Sequence, residues 1–335
     1  MSSSSKINSI LFRLLWLVLL WVGLAYLGKH ILTIFTEEKE FLWPELNSKN
    51  IGLIGLLLVM MVANWSFEAF KWKYAIRTLE KQSFYKALKA TLIGVMISSW
   101  MPNRMGEYLG KVFFVRPKNR VNGVIGALYI SLTQIVATLF FGLLGGIYFI
   151  SHFQNHGLDL EVLSSAFAFL TLGFFALFNQ RGNIWNKLMQ YKAGKAVHIA
   201  MKRFGKKEFS VLTVLSTLRL WCFSAQMLLC LELFNFDGIG LACWMLILLL
   251  YGLQTIIPST ALVSLGLRGS LALFLLGFVG QNSVAILSAS YTLWLINLLI
   301  PAICGGLIML FSKETFSIRQ LVSKKSQPEK ESVTT

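Results

Sequence analysis

The chain has 335 residues, 56% of them hydrophobic and 14% charged, with a mean hydropathy of +0.65 and a formal net charge of +16. Soluble domains carry roughly 25% charged residues, so this composition excludes a water-covered globule and predicts an all-α, polytopic membrane protein. The positive charge does not mark nucleic-acid binding, because it alternates with acidic stretches and comes without a recognition motif.

The opening segment, MSSSSKINSILFRLLWLVLLWVGLAYLGKH, has a basic head and an apolar run. That run is longer than a signal-peptide core and lacks a small-x-small cleavage site. It predicts a retained first span over about Ile10–Leu27, leaving the cytoplasm with Lys6 and Arg13 behind it. Between Lys29 and Asn50 there are three basic and four acidic residues, which fits an outer loop. A second span, about Ile51–Phe70, returns to KWKYAIR, and Lys71–Lys89 holds six Lys/Arg and one acid.

Next come Ala87–Met101 and Tyr108–Val115, both too short to cross about 30 Å of hydrocarbon. They flank SSWMPNRMGEYLGK and end in the basic RPKNR, so the pair reads as a re-entrant hairpin entered and left from the cytoplasm. Val124–Ile150 then goes out and Val162–Phe178 comes back, separated by Ser151–Glu161 with its Asp159 and Glu161. The loop Arg181–Glu208 carries eight Lys/Arg and one acid. Its Ile184, Trp185, Leu188 and Met189 have the spacing of a helix lying on the membrane surface.

Ser210–Phe234 crosses again, and Leu241–Ile257 and Ala261–Gln281 flank IIPSTALVSLGLRG as two spans or a second hairpin. A last span, about Ala285–Phe311, precedes a polar, disordered tail over 316–335. The alternation follows the positive-inside rule and places both termini in the cytoplasm. The expected architecture is a single domain over residues 1–315, with about 7–8 transmembrane helices. One or two Pro/Gly-broken hairpins and an inverted repeat are expected within it. The expected location is the inner, cytoplasmic membrane, with basic loops meeting anionic headgroups.

Chemistry concentrates at the breaks. Pro102 removes a backbone donor and ends the preceding helix. Asn103 can cap a following half-helix whose N–H groups favour an anion. Arg104 and Glu107 share a helix face, and Gly106 between them admits a second backbone or a headgroup. Pro258, Gly266 and Arg268 repeat the theme in the second half. Paired interrupted segments in two inverted halves point to a transporter's central site, and an intramembrane arginine is a functional candidate by default.

PNRMGE, Pro102–Glu107, resembles the Pro-x-Arg-x-Gly-Glu signature of the lysylphosphatidylglycerol synthase transmembrane (flippase-like) family. KWKYAI before it and Pro258–Gly269 after it fall in that family's order, and the likeness spans roughly residues 10–315. The resemblance implies a stand-alone membrane domain, without the aminoacyl-transfer domain, that moves lipids between leaflets. The chain departs from the pattern at Gly269, where the family usually has glutamate. It departs again at Ser131–Gln134, where many members carry an acid–arginine pair.

Arg219, Glu232 and Glu68 are secondary candidates, each open to a snorkelling role at an interface. Gln134 and Gln226 suit interhelical hydrogen bonds, and Gly142/Gly146 suit helix packing. Cys222, Cys230, Cys243 and Cys304 read as packing residues, and the scattered histidines predict no metal site. The functional expectation is a translocator of an anionic phospholipid or lipid-linked precursor. Arg104 and Arg268 hold its headgroup, Glu107 orients Arg104, Asn103 caps the half-helix beside it, and no cofactor is needed. A non-transporting scaffold for an envelope-biosynthesis partner and a polyprenyl-phosphate-dependent transferase are the alternatives. No P-loop or acidic metal pair is visible in the sequence.

Overall fold

The structure, a computed structural model, describes residues 44–99, 106–153, 203–256 and 263–311. The expected spans Ile10–Leu27 and Val162–Phe178, the tail and nearly all of the 181–208 loop lie outside these residues. Every regular element among the described residues is helical. In chain order they are α1 (Ser48–Ile76), α2 (Phe84–Ser98), α3 (Gly106–Phe113), α4 (Arg120–His152), α5 (Lys206–Leu233), α6 (Leu241–Ile256), α7 (Val263–Leu276), α8 (Ser283–Trp294) and α9 (Ile300–Phe311). A π-helical turn, Leu295–Leu299, joins α8 to α9.

Among the described residues, four helices are long and apolar enough to cross a membrane: Ser48–Ile76, Pro117–His152, Lys206–Leu233 and Ser283–Phe311. Large apolar side chains such as Val59, Val62, Leu128, Ile147, Val214 and Leu218 point outward from them. That outward greasiness is tolerable only in lipid, so the chain is a membrane protein. The helix starts are set locally. The Asn47 side chain accepts the Asn50 N–H at 2.8 Å, Ser83 accepts that of Lys86 at 3.2 Å, and Asn282 accepts that of Ala285 at 3.0 Å, each satisfying a donor that the first turn leaves open.

The short helices are α2 and α3, of 15 and 8 residues, and α6 and α7, of 16 and 14. At 1.5 Å per residue none exceeds about 24 Å. α2 and α3 run antiparallel with their backbones touching. A Cβ at Gly110 would land on the Gly94 backbone, and one at Gly106 on Ile97 and Ser98. Gly106 therefore admits a neighbouring helix backbone. Gly266 has open space where a Cβ would stand, so packing does not require glycine there. Of the small residues in α4, Gly145 makes a close approach, against Met245 and Leu249 of α6, and Gly142 and Gly146 are buried beside it.

Two apolar cores form. Leu57, Leu139, Met227, Leu246, Leu276 and Ala289 belong to one, built around α6. Trp72, Ala90, Ile93, Val112, Ile130 and Leu212 belong to the other, where α1 to α4 meet the start of α5. Along α4 the chain passes from Ile130 in the second core to Leu139 in the first, and along α5 from Leu212 to Leu220. The polar residues of these helices, Thr133, Gln134, Ser216 and Arg219, fall between the two.

One boundary differs from the sequence expectation. α1 continues through KWKYAI to Ile76, six residues past Phe70, and Lys71 is fully buried. It is not a cytoplasmic loop charge, because a carboxylate one turn earlier on the same helix receives it.

Candidate functional site

Between the two cores lies a cluster of four charges, three of them buried and the fourth, Arg219, partly buried. Glu68, on α1, is about 12 Å from the end of its helix, and Arg219 is near the middle of α5 at 1.5 Å per residue. Glu68 Oε1 accepts a hydrogen bond from Lys111 Nζ of α3 at 2.5 Å. Its Oε2 faces Lys71 Nζ at 2.8 Å and Arg219 Nη1 at 3.1 Å, as ion pairs without an aligned hydrogen bond. The side chains of Glu68, Lys71 and Lys111 are 4%, 0% and 3% exposed, and that of Arg219 is 16%. One carboxylate therefore holds three cations from three helices, and two positive charges remain over.

Polar neighbours fix part of the arrangement. Lys71 Nζ also donates to Gln134 Oε1 at 2.9 Å and to Ser216 Oγ at 3.3 Å. Gln134 in turn donates to Thr138 Oγ1 and to the Ser216 carbonyl, both at 3.4 Å. The Arg219 guanidinium lies 5.2 Å from the Trp65 ring centroid, within cation–π range. Its Nε is buried without a hydrogen-bond acceptor among the described residues.

Trp65 connects this cluster to the π turn. Its indole Nε1 donates to the Asn297 carbonyl at 3.2 Å, and Asn64 Nδ2 donates to Asn297 Oδ1 at 3.1 Å. The cause is Pro301. A helical N–H at that position would bond back to Asn297, four residues earlier, but proline has none. The Ile300 N–H reaches Leu295, five residues back, and the freed Asn297 carbonyl takes its proton from Trp65. Replacing Asn297 with leucine strands the buried Asn64 amide. The expected loss is about 1–3 kcal/mol, read as a lower thermal midpoint of the purified protein. An unchanged midpoint would show that the Asn64 amide does not depend on Asn297.

The structure brings together two residues that the sequence offered separately, Glu68 and Arg219. They are ion-pair partners at 3.1 Å. Glu232 is elsewhere, paired with Lys49 at 2.6 Å with both side chains exposed. Gln134 and Gln226 make interhelical hydrogen bonds as expected, the latter to the Leu57 carbonyl at 3.0 Å. Pro102, Asn103, Arg104 and Pro258 lie outside the described residues. Glu107 is half-buried in the first turn of α3.

Arg268 is half-buried on α7, within electrostatic reach of Tyr251. The Tyr251 hydroxyl makes a long contact, 3.5 Å, with the Phe223 carbonyl, one turn along α5 from Arg219. Sequence reasoning missed Lys71 and Lys111. The signal for Lys71 was its i, i+3 spacing from Glu68 at the end of an apolar run. Lys111 stands beside Gly110, at the end of SSWMPNRMGEYLGK. Compared with known proteins, the chain matches no family model and no curated sequence.

Proposed function

We propose that the chain is a translocator of an anionic phospholipid or lipid-linked precursor in the cytoplasmic membrane, with both termini inside. The observation that carries this reading is the buried Glu68–Lys71–Lys111–Arg219 cluster and its two surplus positive charges. Charge at such depth costs at least about 2.5 kcal/mol on insertion scales, and where it persists it marks a substrate path. An anionic headgroup supplies the missing compensation, while its acyl chains stay in lipid.

The two short-helix pairs support the same reading as re-entrant hairpins from opposite leaflets. Lys111 brings the first to Glu68, and Tyr251 brings the second to α5 close to Arg219. Short paired helices meeting near a central polar site suit alternating access. The resemblance of Pro102–Glu107 to a lipid-flippase signature agrees, and by that resemblance Arg104 is a further headgroup contact.

The test is leaflet exchange of labelled lipids in liposomes containing the purified chain, beside Lys111→Met and Arg104→Ala variants. Lys111→Met leaves Glu68 with two cations and should fold. Exchange is expected from the wild-type protein and to fall at least tenfold in Lys111→Met. Folded protein that exchanges no anionic lipid would instead support a non-transporting scaffold.

A further inference from the structure

The cluster's hydrogen-bond inventory narrows the headgroup. Lys71 donates to Gln134 and Ser216 and is ion-paired with Glu68 Oε2, so three acceptor groups already surround its ammonium. Lys111 also has three protons, but one acceptor among the described residues, Glu68. Arg219 faces Glu68 through Nη1, and its Nε has no acceptor. Among the described residues, the donors left without an acceptor thus belong to two side chains that approach the same carboxylate from α3 and α5. The charged groups acting on Glu68 are Lys111, Lys71 and Arg219, and those acting on Lys71 are Glu68, Arg219 and Lys111. α4 contributes only the neutral Thr133 and Gln134.

Resting on the reading of this cluster as a headgroup site, we propose that it selects a phosphate monoester, such as the terminal phosphate of a phosphatidic-acid-like or polyprenyl-phosphate lipid. A phosphomonoester carries about −1.5 to −2 charge at pH 7 and three acceptor oxygens. It neutralises both surplus charges and offers acceptors to Lys111 and Arg219 together. A phosphodiester brings one negative charge and leaves one buried cation uncompensated, which is costly in a low-dielectric interior. An aminoacylated or ethanolamine headgroup adds a cation, and the cluster's one carboxylate already serves three. The site therefore disfavours the lysyl-ester lipid that the sequence resemblance brings to mind.

The experiment is lipid binding to the purified full-length protein in neutral detergent, followed by thermal midpoint. It compares phosphatidic acid, phosphatidylglycerol and inorganic phosphate at pH 5 and pH 8. Phosphatidic acid is expected to bind about tenfold more tightly than phosphatidylglycerol at pH 8, the effect of roughly one added charge-assisted hydrogen bond. Phosphatidic acid should weaken at pH 5, below its second ionisation near about 6, while phosphatidylglycerol should not change. Lys111→Met should bring the two lipids level, and Arg219→Lys, which keeps the charge, should preserve the preference.

Equal binding of both lipids by the wild-type protein would overturn the monoester assignment and leave the anionic-headgroup reading standing. Binding of neither would overturn both. A shift by inorganic phosphate matching that of phosphatidic acid would uphold the monoester chemistry and identify the free ion as its source.

Discussion

Glu68→Gln is expected to destabilise the protein by about 3–5 kcal/mol, the cost of removing one partner from a buried ionic group. The substitution keeps shape and volume but removes the carboxylate that, among the described residues, pairs with Lys71, Lys111 and Arg219. Three desolvated cations then repel one another across α1, α3 and α5. Thermal unfolding in detergent should show a large drop in midpoint, which added Lys111→Met partly restores by lowering the charge excess. A Glu68→Gln protein as stable as wild type would mean that something else compensates the cations, and the anion-site argument would fail with it.

Gly110→Ala has the second largest expected effect, although it adds a single methyl group. That carbon meets the backbone of Gly94, and a backbone cannot rotate out of the way as a side chain can. α2 and α3 must separate, at a cost of at least about 1–3 kcal/mol by the usual penalty for overpacking. The displacement also moves the next residue, Lys111, away from Glu68, so lipid exchange should fall along with stability. Gly55→Ala is the control: nothing lies within 4 Å of its added carbon, and alanine in a helix is favoured over glycine by roughly 0.5–1 kcal/mol. If the two variants unfold alike, the α2–α3 approach is not a tight one.

The long helices were legible in the sequence because lipid imposes a simple requirement: enough consecutive apolar residues to cross it. Ser48–Ile76 and Arg120–His152 contain the spans that hydropathy predicts, and Lys206–Leu233 covers the predicted Ser210–Phe234 but for its last residue, the C-cap. The charged cluster was not legible in the same way. Glu68 and Lys111 are 43 positions apart, and Glu68 meets Arg219 from another helix altogether. No local pattern reports such a meeting.

Lys71 was concealed by the very rule that reads topology. A lysine just past an apolar run counts as a cytoplasmic charge, and only the packing of α4 and α5 over it reveals that it is dry. The π turn was also unreadable as such. Pro301 announces a missing N–H, but which group answers the stranded carbonyl depends on Trp65, 232 positions earlier.

That turn has a geometric effect on everything after it. An α-helix advances 100° in azimuth per residue, so the extra residue accommodated in Leu295–Leu299 resets the phase of the continuous Ser283–Phe311 rod. α8 presents its small residues, such as Ala285 and Ala289, to the core built around α6, while α9 turns Gly305 onto the backbone of Leu92 in α2. One rod thus faces two different neighbours along its length, like a camshaft with two lobes cut at different angles. Counting at 3.6 residues per turn from Ser283 places Gly305 on the wrong azimuth. The α2 helix that meets α9 is seated by an offset set at the π turn, where Pro301 withholds an N–H and Trp65 answers the freed carbonyl.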